Sequence, residues 1–226
     1  MKKFENWLLY KVAYVFKDFF VSFVSLFPWL IRTLILTVRD HYYDKKLGIE
    51  TSRHYYPKED QSTYKDMNPY EPLSYKNIKK IIDYLRLVPD DVFIDFGCGK
   101  GRVVFAVAQH KLKKVIGIEL DKEMFAIARL NQKSLKFNKA PIEIINVDAA
   151  NFEINEETIF FMYDPFGYKT LETVLERIKK SLRINPRRIR IIYCSPTYRF
   201  LLDSQDWLEL EKIMGKEEIL IWQNKY

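Results

Sequence analysis

The stretch Val92-Phe93-Ile94-Asp95-Phe96-Gly97-Cys98-Gly99-Lys100-Gly101 decides the fold of this chain. It begins as an apolar, strand-like run and ends in three alternating glycines, Gly97, Gly99 and Gly101. Glycine permits a sharp turn from a strand into a helix, and without a Cβ it lets a ligand approach the backbone closely. Asp95, at the end of the run, is placed to accept hydrogen bonds from a cationic amine or to order the loop. The stretch therefore predicts a strand, a ligand-binding turn and a helix.

A second apolar run, Val115-Ile116-Gly117-Ile118, ends at Glu119, eighteen residues after Gly101. A carboxylate at the end of that strand can accept hydrogen bonds from both hydroxyls of a ribose. The glycine turn and this carboxylate together indicate a nucleotide-like cofactor.

Spacing excludes two common nucleotide motifs. The dinucleotide fingerprint G-x-G-x-x-G/A needs a small residue five positions after its first glycine. That position is Arg102 when counted from Gly97 and Val104 when counted from Gly99. The phosphate-binding pattern G-x-x-x-x-G-K-[ST] is absent from the sequence as well.

The glycine stretch resembles that of the seven-strand, class I S-adenosylmethionine (SAM)-dependent methyltransferases, which reads roughly D/E-x-G-x-G-x-G and is followed by an acidic residue. Two further landmarks follow in the family's order. Asn146-Val147-Asp148-Ala149 resembles the adenine-contacting motif, and Phe160-Phe161-Met162-Tyr163-Asp164-Pro165-Phe166 resembles the motif after the fourth strand. The resemblance spans the chain from about Tyr70 to the C-terminus. It implies that SAM is bound by Asp95, Gly97, Cys98, Gly99, Gly101, Glu119, Asp148, Ala149 and Tyr70.

Apolar periodicity predicts alternating strands and helices after residue 70. Strands are predicted over 92–96, 115–119, 142–147, 158–163 and 189–194, helices over 75–87, 102–109, 122–137 and 168–182, and a terminal hairpin over 207–213 and 218–222. Alternation of this kind predicts an α/β fold with a parallel sheet covered on both faces. Together with the resemblance, it implies a doubly wound, mostly parallel seven-stranded sheet with a C-terminal antiparallel hairpin, preceded by an apolar helical segment.

The composition agrees with one globular domain and an additional segment, since the chain has 226 residues and 48% of them are hydrophobic. Two cysteines exclude a disulfide framework. Cys98 lies in the glycine stretch and Cys194 near the end of a late predicted strand, so neither has a partner at metal-ligand spacing. These features predict a reducing, cytoplasmic setting and no metal site.

A basic cluster spans the end of one predicted helix and the start of the next strand. It consists of Lys179, Lys180, Arg183, Arg187, Arg188 and Arg190. Ligands of open α/β sheets bind outside the carboxyl ends of the strands, whereas a helix-to-strand connection lies at the opposite edge. We therefore expect the cluster to be a solvated connection remote from the cofactor. The net charge of +7 nevertheless suggests an anionic neighbour, either lipid or nucleic acid.

The N-terminal segment, residues 1–40, is more apolar than a soluble helix needs. Placed on one helix, its polar residues form a narrow stripe of Lys11, Asp18, Ser22, Ser25, Arg32 and Arg39. Charges at Lys11, Lys17 and Asp18 argue against a secretory signal. The uncharged run 19–31 is short and contains Pro28, whereas a membrane span needs about twenty residues. Two interpretations stay open: a helix in the interface of an anionic membrane, or a helical hairpin packed on protein.

The connector, residues 41–72, is rich in Tyr, Lys, Asp and Pro. Its end, Tyr70-Glu71-Pro72-Leu73, followed by a helix and the glycine motif, resembles the layout of seven-strand lysine methyltransferases that lack a SET domain. The resemblance implies a lid over the cofactor that includes Tyr64, Tyr70, Glu71 and Pro72; the alternative is an ordinary connector. The predicted organisation is a helical segment over 1–40, this connector, and a methyltransferase domain over 73–226.

The candidate catalytic residues are Asp164, Pro165 and Phe166. They resemble the N/D-P-P-Y/F motif with which nitrogen-directed methyltransferases hold an amino group, although only one proline is present. The resemblance implies that Asp164 faces the cofactor, that Pro165 fixes the turn and that Phe166 forms an aromatic wall. The alternative is a turn-forming Asp-Pro pair. The single proline argues against adenine as the acceptor and leaves a nitrogen acceptor in place.

Neighbouring charged and aromatic residues are secondary candidates. Lys100 and Arg102 are predicted either to neutralise the carboxylate of the cofactor or to lie in solvent. Tyr163, Tyr168 and Tyr193 are candidates for the pocket wall or for the core.

We therefore predict a SAM-dependent methyltransferase acting on nitrogen, with a protein lysine as the first expectation. The alternatives are methylation of a nucleic acid or of a lipid-linked small molecule, and a membrane-tethered SAM-binding protein without transfer activity. The expected partners are a protein acceptor and an anionic membrane surface contacted by residues 1–40. Nucleic acid is not expected, because the sequence shows no target-recognition region. The expected location is the cytoplasm, peripheral to the membrane.

Overall fold

A computed structural model describes residues 34, 37–52, 68–215 and 219–225. The chain divides into two compact units, Met1–Tyr42 and Tyr43–Tyr226. Most of the predicted N-terminal segment, and Tyr64 of the predicted lid, lie outside the described residues. Within the described part, residues 37–47 are helical, and no helix there has the length and apolar character needed to cross a membrane.

The second unit is built on a seven-stranded sheet, as the sequence predicts. The strands are β1 (Val92–Phe96), β2 (Lys114–Glu119), β3 (Ile142–Asn146), β4 (Ile159–Tyr163), β5 (Arg190–Cys194), β6 (Leu208–Met214) and β7 (Ile219–Asn224). Their order across the sheet is β3-β2-β1-β4-β5-β7-β6. The first five pair in parallel, and β7 pairs antiparallel with both β5 and β6. The predicted fold class, including the terminal hairpin, is confirmed.

Five helices accompany these strands in the described part of the second unit, beyond the helical residues before Gly48. They are α1 (Tyr75–Leu85), α2 (Arg102–Val107), α3 (Lys122–Ser134), α4 (Tyr168–Ile184) and α5 (Arg199–Asp203). Side chains cap two of them, since Ser74 accepts from the Asn77 amide and Asp121 from the Met124 amide. Helix α1 ends two residues before the predicted position because Arg86 adopts a left-handed conformation with φ of 51°.

Alternating side chains of the strands form two cores, one on each face of the sheet. One face carries Phe93 and Phe161 and packs against α1 and α2. The other carries Ile94 and Phe160 and packs against α4, which contributes Leu171, Val174, Leu175 and Ile178. All four of the strand residues named here are at most 1% exposed. The two cores explain why most positions of the central strands are apolar.

The strand order creates a crevice at one edge of the sheet. Strand β1 lies between β2 and β4, and the direction of winding reverses between β1 and β4, which is the position where open α/β sheets bind ligands. Phe96 of β1 is level with Ile118 of β2 and Met162 of β4. The loops after these three strands therefore open at the same edge, and these loops carry the predicted site residues.

Candidate cofactor and acceptor site

The glycine loop between β1 and α2 has left-handed backbone at each of its glycines. The φ angles of Gly97, Gly99 and Gly101 are 73°, 53° and 89°, values that side chains with a Cβ rarely adopt. A Cβ on Gly101 would also overlap the ring of Phe105. The amides of Gly97 and Cys98 both donate to the Ile118 carbonyl at 2.9 Å, which joins the loop to the end of β2.

Glu119, the last residue of β2, reaches back to the same loop. Its Oε2 accepts from the Gly99 amide at 2.7 Å, and its Oε1 accepts from the Asp121 amide at 2.8 Å. The side chain lies in the cavity wall and is 5% exposed, and this burial raises its pKa to about 7. Each carboxylate oxygen has a second acceptor position, so the group can bind two further hydroxyls.

Asp95 is a buried carboxylate in the cavity wall, only 3% exposed. Within the part of the chain that the structure describes, no group donates a hydrogen bond to it. Burial, and secondly the neighbouring Glu119, raise its pKa well above the usual range. Buried carboxylates without a donor are costly, so this side chain marks a position for a cationic group.

Tyr70 covers the glycine loop from the side of the connector. A Cβ at Gly99 would overlap its ring, so the two residues are in close contact. Its hydroxyl donates to the Thr51 carbonyl at 3.0 Å, and the Lys100 ammonium lies 5.6 Å from the ring centroid. Burial raises the pKa of Tyr70, which keeps the hydroxyl protonated. Tyr70 of the predicted lid thus packs directly on the loop.

Arg102, the first residue of α2, fastens the connector to this loop. It is 3% exposed, and its Nε donates to the Thr51 hydroxyl at 2.7 Å while its Nη2 lies 3.6 Å from Asp44 Oδ2. Its Nη1 donates to the Leu73 carbonyl at 3.3 Å. Lys100 is also buried, at 4% exposure. The prediction that these two cations lie in solvent is therefore wrong.

Asp44 forms an ion pair with Arg102 and also accepts several hydrogen bonds. It accepts from the Thr51 amide at 2.8 Å, from the Ser52 hydroxyl at 2.8 Å and from the Tyr75 hydroxyl at 2.7 Å. Sequence reasoning missed this network, because its members are separated by many residues and form no motif. The network holds residues 44–52 beneath Tyr70 and against α1 and α2.

The motif Asn146-Val147-Asp148-Ala149 begins at the last residue of β3 and leads into a short 3-10 turn, Ala149–Asn151. Asp148 caps this turn, since its Oδ1 accepts from the Ala150 amide at 2.8 Å. The Asn146 amide group donates to the Glu119 carbonyl at 2.8 Å, which holds the motif beside β2. Asp148 and Ala149 therefore face the cavity next to Glu119.

Asp164 follows β4 in a left-handed conformation, with φ of 39°. Its Oδ1 accepts from the Tyr193 hydroxyl at 2.6 Å. Its Oδ2 accepts from the Thr197 hydroxyl at 2.7 Å and from the side-chain amide of Asn68 at 3.3 Å. Burial, and secondly the bond to Asp164, raise the pKa of Tyr193. The phenol therefore remains a donor to Asp164, whose side chain lies at the cavity wall.

Pro165 and Phe166 complete this side of the cavity. The Pro165 carbonyl accepts from the backbone amide of Asn68 at 3.2 Å. This bond brings the connector across the end of β4. A Cβ on Gly97 would overlap the Pro165 ring, so this turn also contacts the glycine loop. Phe166 is 7% exposed and packs edge-on against Phe96 at 6.5 Å.

The predicted site residues converge on one cavity. It is lined by Tyr70, Asp95, Gly97, Cys98, Gly99, Glu119, Asp148, Ala149, Asp164, Pro165 and Phe166, and also by Tyr163, Arg102 and Asn68. Among the candidate cofactor-binding and catalytic residues, Gly101 is the one outside this wall; it shapes the start of α2 instead. Tyr193 contacts Asp164 from behind, and Tyr168 is surface-exposed at 39%. No group of side chains suited to a metal ion occurs in the described part of the chain.

A family model described as a methyltransferase domain matches residues 93–185. The match covers β1 to the end of α4 and includes the glycine loop, Glu119 and Asp164. Residues 93–185 therefore form a methyltransferase domain. The fold of this domain is also that of a ribosomal protein L11 methylase from Lactobacillus delbrueckii, with a TM-score of 0.52, 12% identity, and coverage of 67% of this chain and 78% of that one.

Relatives of the methyltransferase domain differ in the acceptors that their names give. A histone-lysine N-methyltransferase specific for H3 lysine 79, from Dictyostelium discoideum, is 30% identical over 124 residues, covering 49% of this chain and 7% of the relative. A protein-lysine N-methyltransferase from Saccharolobus islandicus is 28% identical over 97 residues, covering 42% and 59%. Other relatives are named as methyltransferases of 23S and small-subunit ribosomal RNA. The chain thus spans less than two thirds of either lysine methyltransferase.

SAM is the cofactor of this class of domain, and the residues of the cavity fit it. The carboxylate of Asp95, without a donor in the described structure, suits the cationic amino group. Glu119 retains acceptor positions for the ribose hydroxyls. Asp148 and Ala149 lie beside Glu119, where the adenine would follow the ribose. The contact between SAM and each of these residues remains a prediction.

Proposed function

We propose that this chain transfers the methyl group of SAM to a nitrogen atom, and that the acceptor is a lysine side chain of a protein. The observation that carries the proposal is the carboxylate of Asp164 in the cavity wall, held by Tyr193, Thr197 and Asn68. A fixed carboxylate is suited to bind an amino group, whereas a carbon or oxygen nucleophile offers it fewer hydrogens.

The backbone at Asp164 supports a functional role. A left-handed non-glycine residue costs of the order of 1–3 kcal/mol and persists where the surroundings impose it. Here three donors from separate parts of the chain fix the side chain. A carboxylate has about four acceptor positions, so at least one remains for the hydrogen of an incoming amine.

SAM, when bound, supplies a methyl group that is already activated by its sulfonium. The protein therefore has to place the acceptor lone pair in line and exclude water. Asp164 would accept a hydrogen bond from the amine and orient it, while Tyr193 holds the carboxylate in position. Phe166 and Tyr163 supply apolar wall, which favours entry of the neutral amine, whose proton would pass to solvent before it enters the cavity.

The lysine acceptor is supported by two kinds of observation. Two relatives are named as lysine methyltransferases. In addition, Tyr70 of the connector packs on the glycine loop. Ribosomal RNA is the second candidate, because several relatives are named for it. A single proline after Asp164, in place of two, separates this motif from the pattern expected for adenine acceptors.

The test is methyl transfer from tritiated SAM to the soluble and membrane fractions of the source cell, followed by separate protease and nuclease digestion. We expect label in protein, recovered as methyl-lysine after hydrolysis. Asp164→Ala should lower transfer at least roughly 100-fold, as loss of a positioned polar group does at other active sites, and SAM binding should persist. If nuclease digestion releases the label, the lysine acceptor is contradicted. If Asp164→Ala transfers methyl groups as fast as the unmodified protein, the role of the carboxylate is contradicted.

A further inference from the structure

The basic cluster of the sequence forms part of a surface that the proposed activity does not use. This surface, which we call the basic edge, consists of the cations Lys179, Lys180, Arg183, Arg187, Arg188 and Lys225 with the apolar residues Leu182, Ile184, Pro186 and Trp207. Arg190 is excluded, because it pairs with Glu211 at 2.9 Å. The connection between α4 and β5 forms the centre of the basic edge, so it lies at the end of the sheet opposite to the cofactor cavity.

The basic edge combines charge with exposed apolar groups. Ile184, the last residue of α4, is 76% exposed, and Pro186 beside it is exposed as well. Trp207 lines a groove together with Lys179, Arg183, Arg187 and Lys225. Apolar side chains flanked by Lys and Arg are typical of surfaces that enter the head-group region of a membrane.

The basic edge is also rigid. Arg187 donates to the Glu157 carbonyl at 2.9 Å, the Asn185 carbonyl at 2.9 Å and the Ser181 hydroxyl at 3.0 Å. The Asn224 side chain donates to the Arg187 carbonyl at 2.9 Å, which ties the connection to β7. Ile184 is therefore held outward by ordered structure.

Carboxylates near the basic edge cancel only part of its charge. Asp206 accepts from Lys179 at 2.8 Å, and its carbonyl accepts from Lys225 at 3.0 Å. Glu156 pairs with Lys113 at 2.6 Å, and Glu157 is 3% exposed. Glu157 and Glu156 also lie within electrostatic reach of Arg187. Lys180 and Arg183, in contrast, have no ion pair with a carboxylate in the described part of the chain, so an anionic ligand would find uncompensated positive charge at these two side chains.

We propose that the basic edge binds the surface of an anionic lipid bilayer, with the cations at the phosphates and Ile184 inserted between head groups. A nucleic acid would satisfy the cations, but its bases stack best on exposed aromatic rings. The exposed apolar residues of the basic edge, Ile184 and Pro186, are aliphatic, which is why we favour lipid. The proposal does not depend on methyl transfer. A bilayer bound at the basic edge would leave the cofactor cavity, at the other end of the strands, open to soluble acceptors.

The test uses full-length protein and vesicles of phosphatidylcholine with or without phosphatidylglycerol. We expect sedimentation with the anionic vesicles, reduced by salt. Ile184→Ser should weaken binding roughly fivefold or more, and Lys180→Glu with Arg183→Glu more than about tenfold. The matched controls lie on α3: Leu130→Ser, at a residue 61% exposed, and Arg129→Glu with Lys133→Glu. Equal binding by the test variants and their controls would overturn the proposal.

A spin label separates the basic edge from residues 1–40. Cys98 and Cys194 are buried, so a nitroxide can be placed on Ile184→Cys and, as a control, on Leu130→Cys. On anionic vesicles the label at 184 should be shielded from a water-soluble relaxation agent, and the label at 130 should stay accessible. A label at 184 that stays accessible on bound protein would overturn the proposal, as would shielding by single-stranded RNA but not by vesicles.

Discussion

The two walls of the cavity are built in different ways. The cofactor wall, formed by the loops after β1, β2 and β3, uses residues close in sequence and backbone amides that bond to Glu119. The acceptor wall, formed after β4, depends on Asp164, whose three donors come from Asn68, Tyr193 and Thr197. The difference teaches that cofactor binding and acceptor positioning rest on separate contacts. Substitutions in the two walls should therefore have separable effects.

The largest effect in this set is expected for Glu119→Ala in the cofactor wall. The substitution removes the acceptors of the Gly99 and Asp121 amides and the acceptors for the ribose. Hydrogen bonds to charged groups contribute about 1.5–3 kcal/mol, so SAM affinity should fall roughly 10- to 100-fold in a calorimetric titration. Glu156→Ala, at an exposed ion pair, is the control. Unchanged affinity in Glu119→Ala would refute the ribose assignment.

Tyr193→Phe tests the acceptor wall with a smaller change. It removes the hydroxyl that lies 2.6 Å from Asp164, a contact of about 0.5–1.5 kcal/mol. The transfer rate should fall roughly 2- to 10-fold while the Kd for SAM stays the same. Tyr84→Phe, whose hydroxyl bonds to Glu211 instead, should have neither effect. A weaker Kd for SAM in Tyr193→Phe would show that the two walls are coupled.

Asp95→Asn should have opposite effects on stability and on binding. Burial raises the pKa of Asp95 well above the usual range, so folding at neutral pH has either to bury this charge or to protonate it, and an amide avoids that cost. The ligand-free protein should therefore gain roughly 0.5–2 kcal/mol of stability, or about 2–4 °C in Tm for each kcal/mol. SAM affinity should fall, because the partner of the cationic amine is lost. Asp83→Asn, at an exposed pair, should change neither. A lower Tm for Asp95→Asn would mean that the carboxylate stabilises the fold.

A pH dependence of the ligand-free stability is expected as well. Burial raises the pKa of Glu119 from 4.5 to about 7, so the folded protein binds more protons than the unfolded chain between these values. This contribution to stability is complete below pH 4.5 and is lost as the pH rises through about 7. The slope of Tm between these values should be smaller in Glu119→Gln. An identical slope in that variant would refute the assignment of this pH dependence to Glu119.

The sequence predicted the cofactor wall better than the acceptor wall. The strands β1 to β5 lie within one residue of their predicted bounds, because these parallel strands are mostly apolar and are flanked by glycine or charge. The glycine motif and Glu119 could be read because they are local. The short helix α5 was missed, since its five residues are too few for a periodic signal.

The connector and the donors of Asp164 could not be predicted for a physical reason. Asp44 and Arg102 are far apart in the sequence and meet only after α1 and α2 have packed. The left-handed backbone of Asp164 and Ser195 likewise depends on tertiary contacts and not on residue type. Arg102 was therefore assigned to the cofactor or to solvent, although its strongest contacts are with Thr51 and Asp44.

The most direct test of the two-wall account is a calorimetric titration of the full-length protein and of Asp164→Ala with SAM, and separately with NAD. The account predicts micromolar SAM binding of equal affinity in both proteins and no NAD binding in either. Loss of SAM binding in Asp164→Ala would contradict the separation of the two walls. Binding of NAD, or of neither compound, would contradict the cofactor assignment on which the proposed activity rests.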